Sequence, residues 1–309
     1  MAVLDVSLRQ LEYIVAVADL KGFRRAAEAC DVAQPSLSMQ VALAERQLGV
    51  QIFERDQRSV RLSAVGSTIV EQARRVLVAA RELRELARQS SDPFHGTLRL
   101  GVIPTIGPYL LPEITPALAR AFPRLQLLWT EARTGDLVSE LKAGTLDAIL
   151  LALEADIGDL EHEVIARDPF VLATSPKHPL VTRGARARAD VDVLNGQTVL
   201  LLDDGHCFRE QALSFCTQSS AGEHSFRATS LATLVQMVSA GTAVTLLPSL
   251  ALPVENRRGQ LRVRRFAAPE PGRTIALAWR RGSALRQPLV KVAETIRASV
   301  KGKTAVVSR

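Results

Sequence analysis

The fold of the N-terminal part is decided by the stretch FRRAAEACDVAQPSLSMQVALAERQLGVQIFER, residues 23–55. Two helical patterns flank a break at Val32-Ala33, and the second runs from Gln34-Pro35-Ser36 to Leu48-Gly49. Proline in the first turn and glycine just past the last turn are the usual signals of helix ends. Another amphipathic pattern precedes the stretch in residues 7–22, so three short helices are predicted.

A β-hairpin is predicted directly after these helices. The segment VQIFERDQRSVRLSAVG, residues 50–66, alternates apolar and basic residues around a polar turn at Asp56-Gln57-Arg58. Three helices followed by such a hairpin indicate a winged helix-turn-helix, and we place it at residues 6–63.

A long dimerisation helix is predicted at residues 64–92, starting after a Ser63 cap. Its apolar residues follow alternating steps of four and three, as in a coiled-coil seam: Ile69, Ala73, Val76, Ala80, Leu83 and Ala87. The alternative is a helix that packs on its own domain. We favour pairing because the spacing persists for about three heptads.

The rest of the chain predicts an α/β sensor domain at residues 93–302. Apolar, β-leaning runs alternate with helical segments: TLRLGVI, LQLLWTEA, AILLAL, FVLATS, TVLLLD, HSFRATS, AVTLLP and TIALAWR. A doubly wound, two-lobed Rossmann-like domain of the periplasmic-binding-protein type is expected. Lobe I would contain residues 93–170 and 270–302, lobe II residues 171–269, and residues 303–309 a disordered tail.

Composition narrows the protein class. The chain has 309 residues, a net charge of +7 and three cysteines, too few for a secreted disulfide scaffold. Residues 1–62 carry eight Lys/Arg and eight Asp/Glu, so overall charge is weak support for DNA binding. No leader peptide, membrane span or metal-ligand spacing is found in the sequence. We expect a cytoplasmic protein without metal or other cofactor.

The helix-turn-helix stretch resembles the DNA-binding domain of LysR-type transcriptional regulators, and the resemblance extends over nearly the whole chain. It implies that the third helix enters the major groove, where side chains contact bases or phosphates, while the wing contacts the DNA backbone. By position, the DNA-binding residues would be Gln34, Pro35, Ser36, Ser38 and Gln40 on the helix and Arg55 and Arg58 in the wing. Each polar residue of the helix also has the alternative of a solvated face.

The segment LLLDDGHCFREQALSFC, residues 200–216, is similar to the hydrogen-peroxide-sensing branch of that family. GVIPTIGPYLLP, FRATSLATLVQMVSAGTAVTLLP and EPGRTIALAWRRGS share this similarity. The resemblance implies that Cys207 reacts with peroxide and that Cys216 resolves the product as a disulfide. It implies a peroxide-binding set of Thr105, Thr134, Gly205, His206 and Arg273. The structural alternatives are helix caps for the threonines, a turn residue for His206, a surface residue for Arg273 and an inert buried thiol for Cys207.

Helix geometry adds a condition for the disulfide. A helix from Cys207 to Cys216 separates the two backbones by about 13 Å along its axis and about 180° around it. A disulfide tolerates Cα separations of at most roughly 7 Å, so the helix must melt locally. The positive end of the helix dipole is expected to lower the pKa of Cys207.

The predicted function is therefore a redox-switched transcription regulator of oxidative-stress genes, not an enzyme. Its expected partners are quasi-palindromic double-stranded promoter DNA, RNA polymerase, hydrogen peroxide, a thiol reductant such as glutaredoxin or thioredoxin, and further copies of the chain in a homodimer or homotetramer. Three alternatives stay open: a LysR-type regulator that binds an organic metabolite, a thiol peroxidase, and a periplasmic solute-binding protein. The last conflicts with the helix-turn-helix motif.

Overall fold

The computed structural model describes residues 5–56, 59–89, 94–182, 188–205, 207–218 and 222–300. The chain forms two compact units, Met1–Ser90 and Ser91–Arg309. Within the described ranges, no helix is long and apolar enough to cross a bilayer. The residue limits predicted for the domains and lobes stay a prediction.

The first unit is a winged helix-turn-helix followed by a long helix, which confirms the predicted fold of this part. Its elements are α1 (Leu8–Leu20), α2 (Phe23–Ala29), α3 (Gln34–Leu48), the antiparallel pair β1 (Phe53–Asp56) and β2 (Ser59–Leu62), and α4 (Ala64–Gln89). Ser7 and Gln10 form a capping box at the start of α1. Gly49, with φ of 68°, ends α3 in the left-handed conformation that glycine adopts most easily. A core that includes Ile14, Leu37 and Phe53 joins the helices to the hairpin.

The residues of the predicted seam on the long helix α4 lie in two different environments. Ile69 packs against the core of its own unit, and Ala73 is buried. The alternative of packing on its own domain therefore holds for the first turns of α4, which pack on α1. Farther along, Val76 and Leu83 are 46% and 70% exposed, so they are available to a second chain. The side chain of Ala87 lies outside the described residues.

The second unit is an α/β domain, again as predicted. Its strands are β3 (Gly96–Val102), β4 (Leu125–Glu131), β5 (Ala148–Ala152), β6 (Leu160–Thr174), β7 (Thr198–Leu202), β8 (Gly222–Ala228), β9 (Thr245–Pro248), β10 (Arg262–Arg265) and β11 (Gly272–Arg280). Its helices are α5 (Gly107–Ala121), α6 (Thr134–Lys142), α7 (Pro179–Thr182), α8 (Cys207–Gln218), α9 (Leu231–Ser239), α10 (Leu252–Glu255) and α11 (Arg286–Ser299).

Strand β6 belongs to both halves of the second unit. Its first part pairs with β11, which continues through β5 and β3 to β4; we call this half lobe I. Its last part pairs with β9 and β10 in the other half, lobe II. Lobe II also contains the parallel pair β7 and β8, and Val199 of β7 forms a bridge to Val244. Chain crossings between the lobes therefore bring strand ends from both halves together.

Two strand segments were missed by the sequence analysis. The first part of β6, LEHEVIARD, carries many charged residues, and β10 reads RVRR. Neither resembles a buried apolar run. In the first part of β6 only His162 and Arg167 are exposed, and β10 pairs only with β6 among the described strands. Edge strands tolerate, and often use, charged side chains.

Candidate functional site

Cys207 is the first residue of α8 and follows the turn at Asp203-Asp204-Gly205. Gly205 has a φ of +85°, a conformation that favours glycine, and this sharp turn directs the chain into α8. The thiol-bearing residue is only 7% exposed. The next residue, Phe208, is buried and packs edge to face on Phe170 with the ring centroids 5.1 Å apart.

A narrow crevice brings the thiol together with residues from lobe I. It is lined by Ile103, Pro104, Thr105, Arg133, Thr134, Gly205 and Cys207. Thr105 follows β3 and Thr134 begins α6, so both come from the carboxyl-end side of lobe I strands, where α/β folds often place binding sites. In this state the crevice leaves no space for a water molecule.

A buried charge network supports one wall of the crevice. Arg273 on β11 donates to Thr105, from Nη1 to Oγ1 at 2.7 Å and from Nη2 to the carbonyl oxygen at 2.8 Å. Its Nε donates to Asp168 at 3.0 Å, and both charged side chains are fully buried. Asp168 also accepts from the Leu250 backbone N–H and the Ser249 hydroxyl. Arg273 and Asp168 therefore connect Thr105 in lobe I to lobe II.

Burial raises the pKa of the Cys207 thiol, which corrects the expected lowering. Three neighbours oppose this effect: the Thr134 hydroxyl, the Arg273 charge and the backbone N–H of Phe208. Burial dominates because a thiolate loses its hydration in the closed crevice. Although the Thr134 hydroxyl lies beside the thiol, its buried oxygen makes no hydrogen bond of full geometry in the described part of the chain. It is therefore a polar group that a ligand in the crevice can satisfy.

A second ion-pair network holds α8 to β8. Arg209, in the first turn of α8, is almost fully buried and pairs with Asp204 at 2.9 Å and with Glu223 at 2.8 Å. Arg227 of β8 pairs with the same two carboxylates. The pKa of Glu223 is lowered, mainly by its hydrogen bond from Arg209. This network stabilises the first turn of α8 in the closed state.

A larger cavity of about 630 Å³ adjoins the crevice and shares Pro104, Thr105 and Arg133 with it. Tyr109 of α5 donates a hydrogen bond to Glu255 of α10 at 2.8 Å, and both residues line this cavity. Desolvation and the neighbouring carboxylate raise the pKa of Tyr109, so the phenol stays a donor.

Most of the residues that the sequence predicts for the thiol and peroxide site lie together in the structure. The structure brings Thr105, Thr134, Gly205 and Cys207 to one crevice, with Arg273 bonded behind Thr105. Arg273 is fully buried, which excludes the alternative of a surface residue. Among the described residues neither threonine side chain caps α5 or α6. His206 lies outside the described residues; Cys216 belongs to α8, but its side chain also lies outside them.

Three residues of this site were missed: Asp168, Arg133 and Arg209. The available signal for Asp168 was an acidic residue two positions before the apolar run FVLATS, since a carboxylate close to a buried strand needs a cationic partner. Arg133 directly precedes Thr134, and Arg209 follows Cys207 by two residues. Their partners are distant in sequence and leave no local pattern.

On the first unit, the residues of α3 that are predicted to bind DNA differ in exposure. Gln34, Pro35 and Ser36 are exposed in the first turn of α3, and Ser38 is half-buried. Gln40 is half-buried and its side-chain oxygen accepts from Gln10 at 3.1 Å. The side-chain oxygen of Gln40 is thus engaged inside the unit, which leaves mainly its side-chain NH2 group for a ligand.

Met39 is 61% exposed on α3 and was not selected from sequence, because a methionine in an amphipathic helix normally suggests the core. Arg55 belongs to β1, but its side chain lies outside the described residues, and so does Arg58. Cys30, at the end of α2, is half-buried and packs against the core of this unit.

Comparison with known proteins identifies both units. Residues 8–67 match the model of the bacterial regulatory helix-turn-helix protein, lysR family, and residues 91–301 match the LysR substrate binding domain. The chain is 43% identical to the DNA-binding transcriptional dual regulator OxyR of Escherichia coli K12, over 96% of this chain and 97% of the relative.

Solved structures give the same result. A full-length cysteine-to-aspartate variant of OxyR from Pseudomonas aeruginosa is similar with a TM-score of 0.77 and 39% identity, covering 96% of each chain. A Corynebacterium glutamicum OxyR mutant described as H2O2-bound has a TM-score of 0.65 and 29% identity, covering 96% of this chain and 95% of that one.

A winged helix-turn-helix unit followed by an α/β domain of this type defines a bacterial transcription regulator. The two matched models and the relatives place it more narrowly: the chain belongs to the LysR family.

Proposed function

We propose that this regulator senses hydrogen peroxide through reversible oxidation of Cys207 and controls oxidative-stress genes. The observation that carries the proposal is the crevice in which Cys207 meets the hydroxyls of Thr105 and Thr134, with the Arg273 charge behind them. A peroxide needs a thiolate, donors to its oxygens and positive charge near the departing hydroxide, and these groups supply them. The likeness to relatives that are called OxyR supports the same function.

The first chemical step forms a bond between the Cys207 sulfur and one peroxide oxygen while the O–O bond breaks. Sulfur loses two electrons and becomes a sulfenic acid, and the departing hydroxide takes a proton to form water. The hydroxyls of Thr105 and Thr134 donate to the peroxide oxygens. Gly205 and His206 are proposed to contribute to the peroxide site from the turn before α8. The buried thiol must first lose its proton, which the Arg273 charge and the Thr134 hydroxyl favour.

In the second step the Cys216 thiol attacks the sulfenic sulfur. A disulfide forms, and the sulfenic oxygen leaves as water. Because both cysteines belong to α8, the helix has to melt between them. Melting withdraws Phe208 from Phe170 and breaks the bonds of Arg209 to β8, so oxidation remodels lobe II. A dithiol reductant of the glutaredoxin or thioredoxin type then resets the sensor by disulfide exchange.

In the proposed scheme, the regulator acts by binding promoter DNA in the cytoplasm. Helix α3 would read a quasi-palindromic site with Gln34, Pro35, Ser36, Ser38 and Gln40, and Met39 offers an apolar contact to bases. Arg55 and Arg58 would contact phosphates from the wing. A dimer through α4, doubled to a homotetramer, would present paired heads to such DNA and communicate with RNA polymerase. The protein acts stoichiometrically in this scheme and is not an enzyme.

One experiment tests the proposal directly. Thiol mass spectrometry and DNA footprinting are run on the same samples, with and without hydrogen peroxide, for wild type, Cys207→Ser and the matched control Cys30→Ser. We expect peroxide to oxidise Cys207 and change the footprint in wild type and Cys30→Ser, but to leave Cys207→Ser unchanged. A peroxide-induced footprint change in Cys207→Ser would overturn the proposal.

A second candidate function rests on the cavity of about 630 Å³ beside the crevice, which is large enough for an organic metabolite. In that case reporter output would be the same in Cys207→Ser and wild type. A thiol peroxidase is the remaining alternative, and it requires sustained turnover with excess peroxide and thioredoxin, whereas the sensor is oxidised once per reset.

A further inference from the structure

Arg133 occupies the boundary between the larger cavity and the thiol crevice. It is the residue before α6, and its side chain lines both spaces. The cavity has a volume of about 630 Å³, whereas the crevice has no space for a water molecule. Pro104 and Thr105 are the other residues shared by the two spaces, so a molecule that moves from the cavity to Cys207 passes between them and Arg133.

The side chain of Arg133 reaches from lobe I across to the turn before Cys207 in lobe II. Its Nη2 lies 3.6 Å from the Asp203 carboxylate, and it passes directly over Gly205. A Cβ atom at residue 205 would lie 3.1 Å from Nη1 and 3.2 Å from Cδ of Arg133. The missing side chain of Gly205 is thus what allows Arg133 to lie flat on this turn and close the crevice.

The ion pair between Arg133 and Asp203 is suited to opening. The two side chains are 45% and 38% exposed, so solvent and salt screen their attraction, and such pairs are weak. By contrast, Arg273 and Asp168 behind the crevice are fully buried and stay in place. Of these two interlobe cations, Arg133 is the one that can swing out.

We propose that Arg133 is the gate of the thiol crevice and determines which hydroperoxides reach Cys207. The proposal rests on the proposed function, since it assumes that Cys207 reacts with peroxides. With the ion pair to Asp203 formed, the crevice admits hydrogen peroxide only by brief opening and excludes hydroperoxides with a bulky alkyl group. Without the gate, the adjoining cavity holds the alkyl group while the O–O bond reaches the sulfur.

The chemistry at sulfur is the same for both types of peroxide. In each case the thiolate bonds to the terminal peroxide oxygen, the O–O bond breaks, and Cys207 becomes a sulfenic acid. The leaving oxygen takes a proton and departs as water or as the alcohol. A change in the ratio of the two rate constants therefore reports access to the crevice, because a change in thiolate fraction affects both rates equally.

The test measures the rate constant of Cys207 oxidation with hydrogen peroxide and with tert-butyl hydroperoxide, by quenched flow and mass spectrometry of the full chain. In Arg133→Ala, we expect the ratio of the tert-butyl hydroperoxide rate to the hydrogen peroxide rate to rise by about tenfold or more, the range of steric discrimination by a pocket. Arg133→Lys keeps a charge that can pair with Asp203, and its ratio should stay within about twofold of wild type. Added salt should raise the ratio in wild type but not in Arg133→Ala.

Arg227→Ala is the matched control. Arg227 is 43% exposed and pairs with Asp204, the neighbour of Asp203, but it is not among the described residues that line the crevice. Its removal should leave the ratio unchanged. An unchanged ratio in Arg133→Ala, or an equal rise in Arg227→Ala, overturns the gate. If wild-type Cys207 does not react with hydrogen peroxide at all, the proposed function itself fails.

Discussion

The Arg273 guanidinium donates two hydrogen bonds to Thr105, one to the side-chain oxygen at 2.7 Å and one to the carbonyl oxygen at 2.8 Å. Because Oγ1 accepts from Arg273, the hydroxyl proton of Thr105 is left to donate elsewhere. Thr105 also lines the crevice beside Cys207, so the buried cation orients a donor toward the thiol site.

Replacing Thr105 by valine should lower the rate of Cys207 oxidation by hydrogen peroxide about a hundredfold, the cost of removing one preorganised donor to a developing negative charge. Thr105→Ser keeps the hydroxyl and should retain most of the rate. Stopped-flow oxidation of the reduced protein gives the rate constants. Thr97→Val, on the same β3 strand but away from the crevice, is the control. Wild-type kinetics in Thr105→Val would exclude Thr105 as a donor.

Asp168→Ala should destabilise the sensor unit by about 3–5 kcal/mol, because it leaves the Arg273 charge buried and unpaired. The measurement is urea unfolding followed by circular dichroism. Asp159→Ala removes an aspartate whose ion pair with Arg281 is exposed, and it should cost less than about 1 kcal/mol. Equal effects of the two substitutions would show that burial of the pair is unimportant.

The oxidation rate should keep rising with pH beyond the ordinary thiol pKa of about 8.5. Burial raises the pKa of Cys207, so the neutral thiol persists to higher pH and only the thiolate reacts. Thr134→Val should shift the midpoint of the pH profile farther upward, since the Thr134 hydroxyl opposes the effect of burial. Peptide-resolved alkylation between pH 6 and pH 10 follows this single cysteine. A plateau reached below pH 8 would contradict the expected direction.

Oxidation of wild type should increase hydrogen exchange across α8, and Cys216→Ser should not show this increase. Cys207 still oxidises in Cys216→Ser, but without a partner thiol the sulfenic acid persists or oxidises further. The helix then stays folded because no disulfide pulls it apart. Hydrogen exchange with mass spectrometry, before and after one equivalent of peroxide, distinguishes the two states. Formation of the disulfide with residues 207–218 still protected would contradict the coupling of chemistry to helix melting.

Replacing both Val76 and Leu83 with aspartate should dissociate the oligomer and weaken operator binding. These side chains are exposed on α4, and a charge in a paired apolar seam is costly. Sedimentation of the full chain at micromolar concentration measures the mass, and a labelled operator measures binding. Ser67→Asp adds a charge to an exposed position near the start of the same helix, and it should leave both unchanged. A wild type that sediments as a monomer would refute pairing through α4.

Most of the helices and strands could be predicted from the sequence because their signals are local. The Ser63 cap of α4, the Gly49 stop and the 3.6-residue periods in the first unit all appear in the structure. The charged first part of β6 and the arginine-rich β10 were missed, since their side chains are set by strand position at a sheet edge and not by an apolar run. The seam on α4 was only partly assigned, because periodicity does not show whether Ala73 faces its own unit or a second chain.

For the thiol site too, some residues could be identified from the sequence and others only from the tertiary structure. Cys207 and the turn before it were identified from one short stretch, and the resemblance supplied Thr105, Thr134 and Arg273. Only the tertiary structure revealed that Asp168 holds Arg273 and that Arg133 covers Gly205, because sheet order and the chain crossings between the lobes bring these residues together. The tertiary structure also determined whether the pKa of Cys207 is raised or lowered. A helix start favours a thiolate by its local dipole, but burial between two lobes disfavours it, and burial is a property of the whole fold.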